Sequence, residues 1–191
     1  LSFSSPGFKI IGFDIDEKKI TALTTGKSYI RHIPASKVDP LIKSEQFIPT
    51  TDFSRIAECD AIILCVPTPL NKNREPDMSY IEGTAHNIGP HLRAKQLVAL
   101  ESTTYPGTTR VLLKDILEET SGLRAGEDFH LAYSPEREDP GNASFGTSTI
   151  PKVVGGLTGR CTEIACELYK TSISEVVPVS STEVAEMTKL L

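Results

Sequence analysis

The sequence predicts an α/β fold built on a doubly wound, mostly parallel β-sheet. Short apolar runs alternate with segments of helical periodicity along most of the 191 residues, which is the pattern of βαβ units. The run at residues 60–66 is almost continuously apolar, as expected for a strand covered on both faces, and residues 96–102 are predicted to form another buried strand. Polar residues follow several of the runs directly, at the sheet edge where open parallel sheets bind ligands.

Each predicted element has local support in residue type. The predicted strands are residues 9–13, 47–50, 60–66, 96–102, 129–134, 152–156 and 175–180. The predicted helices are residues 16–25, a short helix ending near Cys59, residues 79–91, 108–120 and 158–170, and a last one from Ser181 or Thr182. Asp16 and Asp52 are placed to cap helices, and Gly26 follows the first helix. Pro67 ends a strand because it has no N–H for the ladder.

Composition limits the classes of function. The net charge of −5 and the pI near 5.4 argue against a nucleic-acid binder. No apolar run approaches the roughly 20 residues that span a bilayer, and residues 1–6 do not resemble a signal peptide. The four cysteines form no C-x-x-C pair, so we expect no metal site, no disulfides and a cytoplasmic location. Cys65, inside an apolar run, is expected to be buried.

Asp14 is a candidate cofactor ligand because it follows the strand at residues 9–13. An acidic residue there can bind the adenosine ribose of NAD and repel the 2′-phosphate of NADP. The alternative, an aspartate that only ends a strand, stays open. The glycine-rich fingerprint belongs about 20 residues earlier, but only 13 residues precede Asp14. We therefore expect a Rossmann-like sheet that lacks its first strand and Gly-rich loop, with exposed strand edges and poor stability alone.

Four further segments contain residues suited to chemistry. Hydroxyl groups follow strands at residues 66–69 and 101–108, where they could bind a cofactor or a water, or only cap helices. Glu136 opens a run of four charged residues and could act as a base, or belong to a solvated acidic loop. Lys189 could stabilise an oxyanion, or only lie on a helix surface.

The spaced motifs together resemble the UDP-glucose/GDP-mannose dehydrogenase family, from about Phe8 onward. They are Gly-Phe-Asp-Ile-Asp at 12–16, Cys-Val-Pro-Thr-Pro at 65–69, Glu-Ser-Thr at 101–103, Pro-Gly-Thr at 106–108, Ser-Pro-Glu-Arg at 134–137 and Ala-Glu-x-x-Lys at 185–189. The resemblance implies oxidation of the C6 alcohol of a nucleotide sugar to a carboxylate, with reduction of two NAD. It also implies a thioester on a cysteine, and a role in polysaccharide biosynthesis.

The resemblance assigns roles residue by residue. Thr103 would position a catalytic water, Glu136 would act as acid and base, and Lys189 would stabilise the oxyanion. The implied cofactor-binding residues are Asp14, Lys19, Val66, Pro67, Thr68, Ser102, Thr103 and Glu136. The Ser-Pro-Glu-Arg-Glu form is most similar to the branch acting on UDP-N-acetylhexosamines, especially UDP-N-acetylglucosamine.

The resemblance also implies what this chain lacks. Residues 1–180 would be an NAD-binding domain incomplete at its N-terminus, and residues 181–191 the start of the long central helix through which the family forms homodimers. The C-terminal substrate domain, with its nucleophilic cysteine, would be absent, so the isolated chain would be an inactive fragment. Two alternatives stay open: a silent nucleotide-binding or partner-assembly module, and a hydroxyacid-type NAD dehydrogenase domain.

Overall fold

The computed structural model describes residues 2–4, 7–29, 33–70, 72, 74–135 and 150–189. It divides into two compact units, Leu1–Arg55 and Ile56–Leu191. The first unit contains a two-stranded sheet and the second a five-stranded sheet. The predicted α/β fold with a mostly parallel sheet is confirmed.

The first unit is one βαβ crossover with two helices. Strand β1 (Ile10–Phe13) pairs in parallel with β2 (Phe47–Thr50), and α1 (Glu17–Thr24) and α2 (Ala35–Lys43) lie between them in the chain. Ahead of β1, the described residues form a 3₁₀ turn at Ser2–Ser4.

The ends of α1 follow the predicted capping. The side chain of Asp16 accepts a hydrogen bond from the N–H of Lys18 at 2.9 Å. Gly26, just past the helix, has a φ of +73°, a left-handed conformation that glycine adopts without strain. Helix α2 was not predicted, because Pro40 interrupts its helical pattern; the helix nevertheless continues through this proline and buries Val38.

The second unit contains five strands and four α-helices among its described residues. The strands are β3 (Ala61–Leu64), β4 (Leu97–Leu100), β5 (His130–Tyr133), β6 (Lys152–Gly156) and β7 (Val176–Val179). The helices are α3 (Ser79–Ile88), α4 (Lys114–Ser121), α5 (Gly159–Lys170) and α6 (Thr182–Met187). Short 3₁₀ helices cover Phe53–Glu58, where the units meet in the chain, and Gly89–His91, and a π-helix, Thr108–Leu113, leads directly into α4.

The five strands lie in chain order, β3 to β7. All neighbouring pairs are parallel except β5 with β6, which is antiparallel. The two strands after residue 150 thus extend the sheet at one side, as predicted. All seven predicted strands of the chain are confirmed; four of them are one or two residues shorter at each end, and β1 is one residue shorter at its start.

The core of the second unit centres on β4. Its four residues are all buried, as the apolar run predicted. Strand β3 differs: Ile62 and Leu64 are buried, but Ala61 and Ile63 are only partly so. The prediction that this run is covered on both faces was wrong: successive side chains point to opposite faces, and only one face of β3 is buried. Strand β3 is also an edge strand of its sheet. Cys65, predicted to be buried, is exposed, because the strand ends one residue before it.

Helix α6 packs closely on β6. A Cβ at Gly155 would lie only 2.0 Å from the carbonyl oxygen of Ser181, so this contact requires glycine. Ser181 caps α6, as predicted, by accepting a bond from the N–H of Val184 at 3.3 Å. The chain after β7 is therefore held against the sheet at the start of α6.

Candidate functional site

The carboxylate of Asp14 lies directly after β1 and is held by two donors. Oδ2 accepts from Nζ of Lys19 at 2.9 Å, and Oδ1 accepts from the N–H of Asp16 at 2.9 Å. Partial burial acts to raise the pKa of Asp14, but these two hydrogen bonds outweigh it and lower the pKa. The side chain remains 26% exposed. An ionised carboxylate has lone pairs beyond two bonds, so Asp14 can accept further hydroxyl donors.

Lys19 reaches Asp14 from the first turn of α1. Its bond to Asp14 raises the pKa of the ammonium, against the effect of burial. The ammonium also lies 5.8 Å from the ring centroid of Tyr29, within the range of a cation–π contact. Asp14 and Lys19 are thus brought together in the first unit, and the ammonium keeps the carboxylate in one position.

In the second unit, the carboxyl ends of β3, β4 and β5 meet at one edge of the sheet, since these strands are parallel. Val66, Pro67 and Thr68 follow β3 at this edge, and Ser102 and Thr103 follow β4. The hydroxyl of Ser102 donates to the carbonyl of Val66 at 2.8 Å and accepts from its N–H at 3.0 Å. The hydroxyl of Ser102, a predicted cofactor residue, therefore joins the ends of the two strands.

Thr103 is exposed between two buried neighbours, Ser102 and Thr104. The hydroxyl of Thr104 donates to that of Thr108 at 2.5 Å, which in turn donates to the carbonyl of Tyr105 at 2.8 Å. The Thr103 hydroxyl itself has no hydrogen-bond partner within the part of the chain that the structure describes. Both flanks are fixed, so this hydroxyl can bind a water or a ligand in a defined place.

Glu101, at the end of β4, belongs to a buried polar cluster that the sequence did not reveal. Oε1 accepts from the hydroxyl of Tyr169 at 2.6 Å and lies 3.2 Å from Nζ of Lys152. The Lys152 ammonium lies 4.8 Å from the ring centroid of Tyr169. Because Tyr169 is 68 residues from Glu101, no local pattern connects the two. The cluster therefore joins the chain just after β4 to β6 and α5.

Glu186, in α6, is the second buried carboxylate. Its Oε2 accepts from the N–H of Gly107 at 2.6 Å, and its Oε1 accepts from the N–H of Thr109 at 2.9 Å and from the Thr109 hydroxyl at 2.7 Å. Burial raises the pKa of Glu186, although these bonds oppose the shift. Sequence reasoning noted Glu186 in a motif with Lys189 but assigned it no role. The motif was the available signal.

The structure places the remaining predicted residues as follows. Lys189 is partly buried, just past α6, and its N–H donates to the carbonyl of Glu186 at 3.4 Å. Glu136 lies outside the described residues. Among the residues that are described, no group of three or more His, Cys, Asp or Glu could hold a metal ion. In the same part of the chain, no helix is long and apolar enough to cross a membrane.

Comparison with known proteins identifies the domain. Residues 1–173 match the profile described as the UDP-glucose/GDP-mannose dehydrogenase family, NAD binding domain. The chain is 33% identical over 183 residues to the UDP-N-acetyl-D-glucosamine 6-dehydrogenase of Pseudomonas aeruginosa, covering 95% of this chain and 43% of that protein.

Solved structures agree in fold. The NDP-N-acetyl-D-galactosaminuronic acid dehydrogenase of Methanosarcina mazei is 38% identical, with a TM-score of 0.87 over 95% of this chain and 40% of its own. The GDP-mannose dehydrogenase ternary complex from Pseudomonas aeruginosa is 30% identical, with a TM-score of 0.89 over 98% of this chain and 44% of its own. The chain spans less than half of each of these relatives. It belongs to the UDP-glucose/GDP-mannose dehydrogenase family, and its cofactor class is NAD.

Proposed function

We propose that this chain is the NAD-binding part of an enzyme that oxidises the C6 alcohol of a UDP-sugar to the uronic acid. The observation that carries the proposal is the exposed Thr103 hydroxyl, held between anchored neighbours at the carboxyl edge of the parallel sheet. Open α/β sheets bind their ligands at this edge. A hydroxyl fixed there is suited to orienting the water that releases a carboxylate product.

The residues of the first unit fit the ribose of NAD. The ionised Asp14 carboxylate can accept bonds from both ribose hydroxyls, and would repel a 2′-phosphate at the same place. Lys19 holds that carboxylate in position. Bound NAD would supply hydride acceptance for the oxidation at C6.

The residues of the second unit would serve the cofactor and the reacting carbon. Ser102 fixes the backbone of Val66, so that Val66, Pro67 and Thr68 would present one rigid wall to the cofactor. The Lys189 ammonium would stabilise negative charge that develops on the substrate oxygen. Glu136 would move protons to and from the substrate through water.

Relatives differ in the sugar named for them, so the sugar is the finer part of the proposal. We propose a UDP-N-acetylhexosamine, because the Ser-Pro-Glu-Arg-Glu segment at residues 134–138 resembles that branch. The matched UDP-N-acetyl-D-glucosamine 6-dehydrogenase supports the same choice. The full-length enzyme would work in the cytoplasm as a homodimer, formed through the long helix that begins with α6. Its product would be used in polysaccharide biosynthesis.

The test is an activity assay on a full-length protein that contains this chain, with formation of reduced NAD as the readout. Nucleotide sugars to compare are UDP-N-acetylglucosamine, UDP-N-acetylmannosamine, UDP-glucose and GDP-mannose, beside a 2-hydroxy acid. We expect turnover with a UDP-N-acetylhexosamine and a large loss in Thr103→Val. Thr84→Val is the matched control, because Thr84 is only partly buried on α3, away from the strand ends, and its hydroxyl donates to the Tyr80 carbonyl.

Three results would contradict the proposal. Turnover of the hydroxy acid alone would make the chain part of a different dehydrogenase. Binding of NAD without turnover of any substrate would indicate a silent nucleotide-binding module. Equal activity in Thr103→Val and Thr84→Val would remove Thr103 from the site.

A further inference from the structure

Two residues with proposed catalytic roles lie far apart in the chain, and a single buried side chain joins the segments that carry them. Thr103 lies in the segment between β4 and the π-helix, and Lys189 follows α6. Glu186 is 0% exposed in α6, and its carbonyl accepts the N–H of Lys189. Its carboxylate bonds Gly107, the last residue of the other segment, and Thr109 in the π-helix that follows it. These bonds join residues 79 and 77 positions apart.

The carboxylate is placed at a site that attracts negative charge. The first N–H groups of a helix have no partner within the helix, and the helix dipole favours an anion there. The two carboxylate oxygens of Glu186 accept hydrogen bonds from the N–H groups of Gly107 and Thr109, which lie at the start of the π-helix. Gly107 has a φ of +95°, so the turn it makes depends on glycine. The three bonds therefore determine where the Thr103 segment ends.

A purely structural role explains these bonds less well. Burying a carboxylate costs free energy unless every lone pair is used, and an apolar residue of similar size would fill the space at lower cost. Glu183, on the same helix, is only partly buried and bonds the side chain of Arg110 instead. It connects α6 to the π-helix without contacting the segment that leads from Thr103. Glu186 is thus distinguished by its partners as well as by its burial.

We propose that Glu186 is a positioning residue, which holds the Thr103 segment against α6 and so sets the place of the Thr103 hydroxyl relative to Lys189. The inference rests on the catalytic roles proposed for those two residues. Glu186 itself does not touch the substrate. Small displacements of reacting groups have large kinetic effects, since a shift of about 1 Å can cost about a hundredfold in rate.

The test compares Glu186→Gln with Glu183→Gln in the full-length protein. Glutamine keeps the size of the side chain but presents an NH₂ group to one of the donors, so at least one of the three bonds is lost. We expect kcat for sugar oxidation to fall about ten- to a hundredfold in Glu186→Gln, with KM for NAD and for the sugar unchanged. Glu183→Gln should keep kcat within about twofold, because its bond does not reach the Thr103 segment.

A second pair of variants tests the same bonds if Glu186→Gln does not fold. Thr109→Val removes only the hydroxyl that donates to Glu186, whereas Thr109→Ser keeps it. We expect kcat to fall in Thr109→Val and to be retained in Thr109→Ser. The split between kcat and KM, measured well below the melting temperature, separates positioning from a loss of folded protein.

Amide hydrogen exchange on the 191-residue chain reads the same bonds without activity. Exchange at Gly107 and Thr109 should accelerate in Glu186→Gln and stay unchanged in Glu183→Gln. Unaltered kcat in a folded, active Glu186→Gln would overturn the inference and leave the proposed function standing. Unaltered exchange rates at both amides would do the same. An unchanged full-length protein that oxidises no nucleotide sugar removes the proposed function first, and the inference with it.

Discussion

The two units of the chain differ in how much of their structure is buried. Among the described residues, Val38 is the only buried apolar side chain of Leu1–Arg55, while the second unit has a continuous set around β4. The residues of β1 and β2 are all partly exposed, whereas every residue of β4 is buried. The candidate ribose ligand, Asp14, thus lies in the less buried unit, and Thr103 follows the most buried strand.

The candidate residues of the two units are held in place in different ways. A two-stranded sheet is marginally stable by itself, and α1 buries no residue. Asp14 can therefore remain ionised and accessible, because its position depends on local bonds from Asp16 and Lys19. Thr103 instead depends on long-range anchors, including Ser102 to Val66 and Glu101 to Tyr169. The first unit should tolerate substitutions that the second does not.

The largest expected effect is on the core. Leu100→Ala removes a side chain that is 0% exposed in β4 and should lower the free energy of unfolding by about 2–5 kcal/mol. Ile11→Ala in β1, where the side chain is partly exposed, should cost about 1 kcal/mol. Urea unfolding of both variants measures the difference. Equal losses would contradict the contrast between the units.

A smaller effect is expected for the buried polar cluster. Tyr169→Phe removes the hydroxyl that donates to Glu101 and should destabilise the chain by about 1–3 kcal/mol, because a buried charged acceptor loses a donor. Tyr29→Phe is the matched control in the first unit, where Tyr29 is exposed. Its melting temperature should equal that of the unchanged chain. A neutral Tyr169→Phe would show that Glu101 does not anchor β4.

The smallest expected effect is a pH dependence at the surface. Partial burial acts to raise the pKa of Glu183, but hydrogen bonds from its own N–H, Ser181 and Arg110 lower it to about 2. The folded pKa is below the ordinary value, so the stabilisation is present above about pH 4.5. It is lost as the pH falls towards 2.

Unfolding measured from pH 7 to pH 2 tests this, with Glu183→Gln as the comparison. The unchanged chain should lose its advantage over the variant through this range, by less than about 1 kcal/mol because the pair is partly exposed. A difference that grows as the pH falls would have the wrong sign for this ion pair.

Much of this fold could be predicted because its signals are local. Each strand is a short apolar run, and the caps at Asp16 and Ser181 need only two or three neighbouring residues. Asp14 was identified by its place after a strand. Helix α2 was missed because Pro40 disguises its pattern.

The rest required contacts that the sequence does not display. Cys65 is exposed because β3 is an edge strand and ends at Leu64. The order of strands in a sheet cannot be predicted from the apolar residues of one strand. Tyr169 lies 68 residues from Glu101, and the partners of Glu186 lie 79 and 77 residues away along the chain. A buried carboxylate looks in sequence like any other glutamate on a helix or at a strand end.

The most direct test of the account is calorimetric titration of the 191-residue chain with NAD and with NADP, before and after Asp14→Asn. Asp39→Asn, which alters an exposed ion pair with Lys43 in the same unit, is the control. The account predicts saturable NAD binding that exceeds NADP binding, and about a ten- to hundredfold loss of NAD affinity in Asp14→Asn alone. A folded chain that binds neither nucleotide, or that binds NAD equally well without the Asp14 carboxylate, would contradict it.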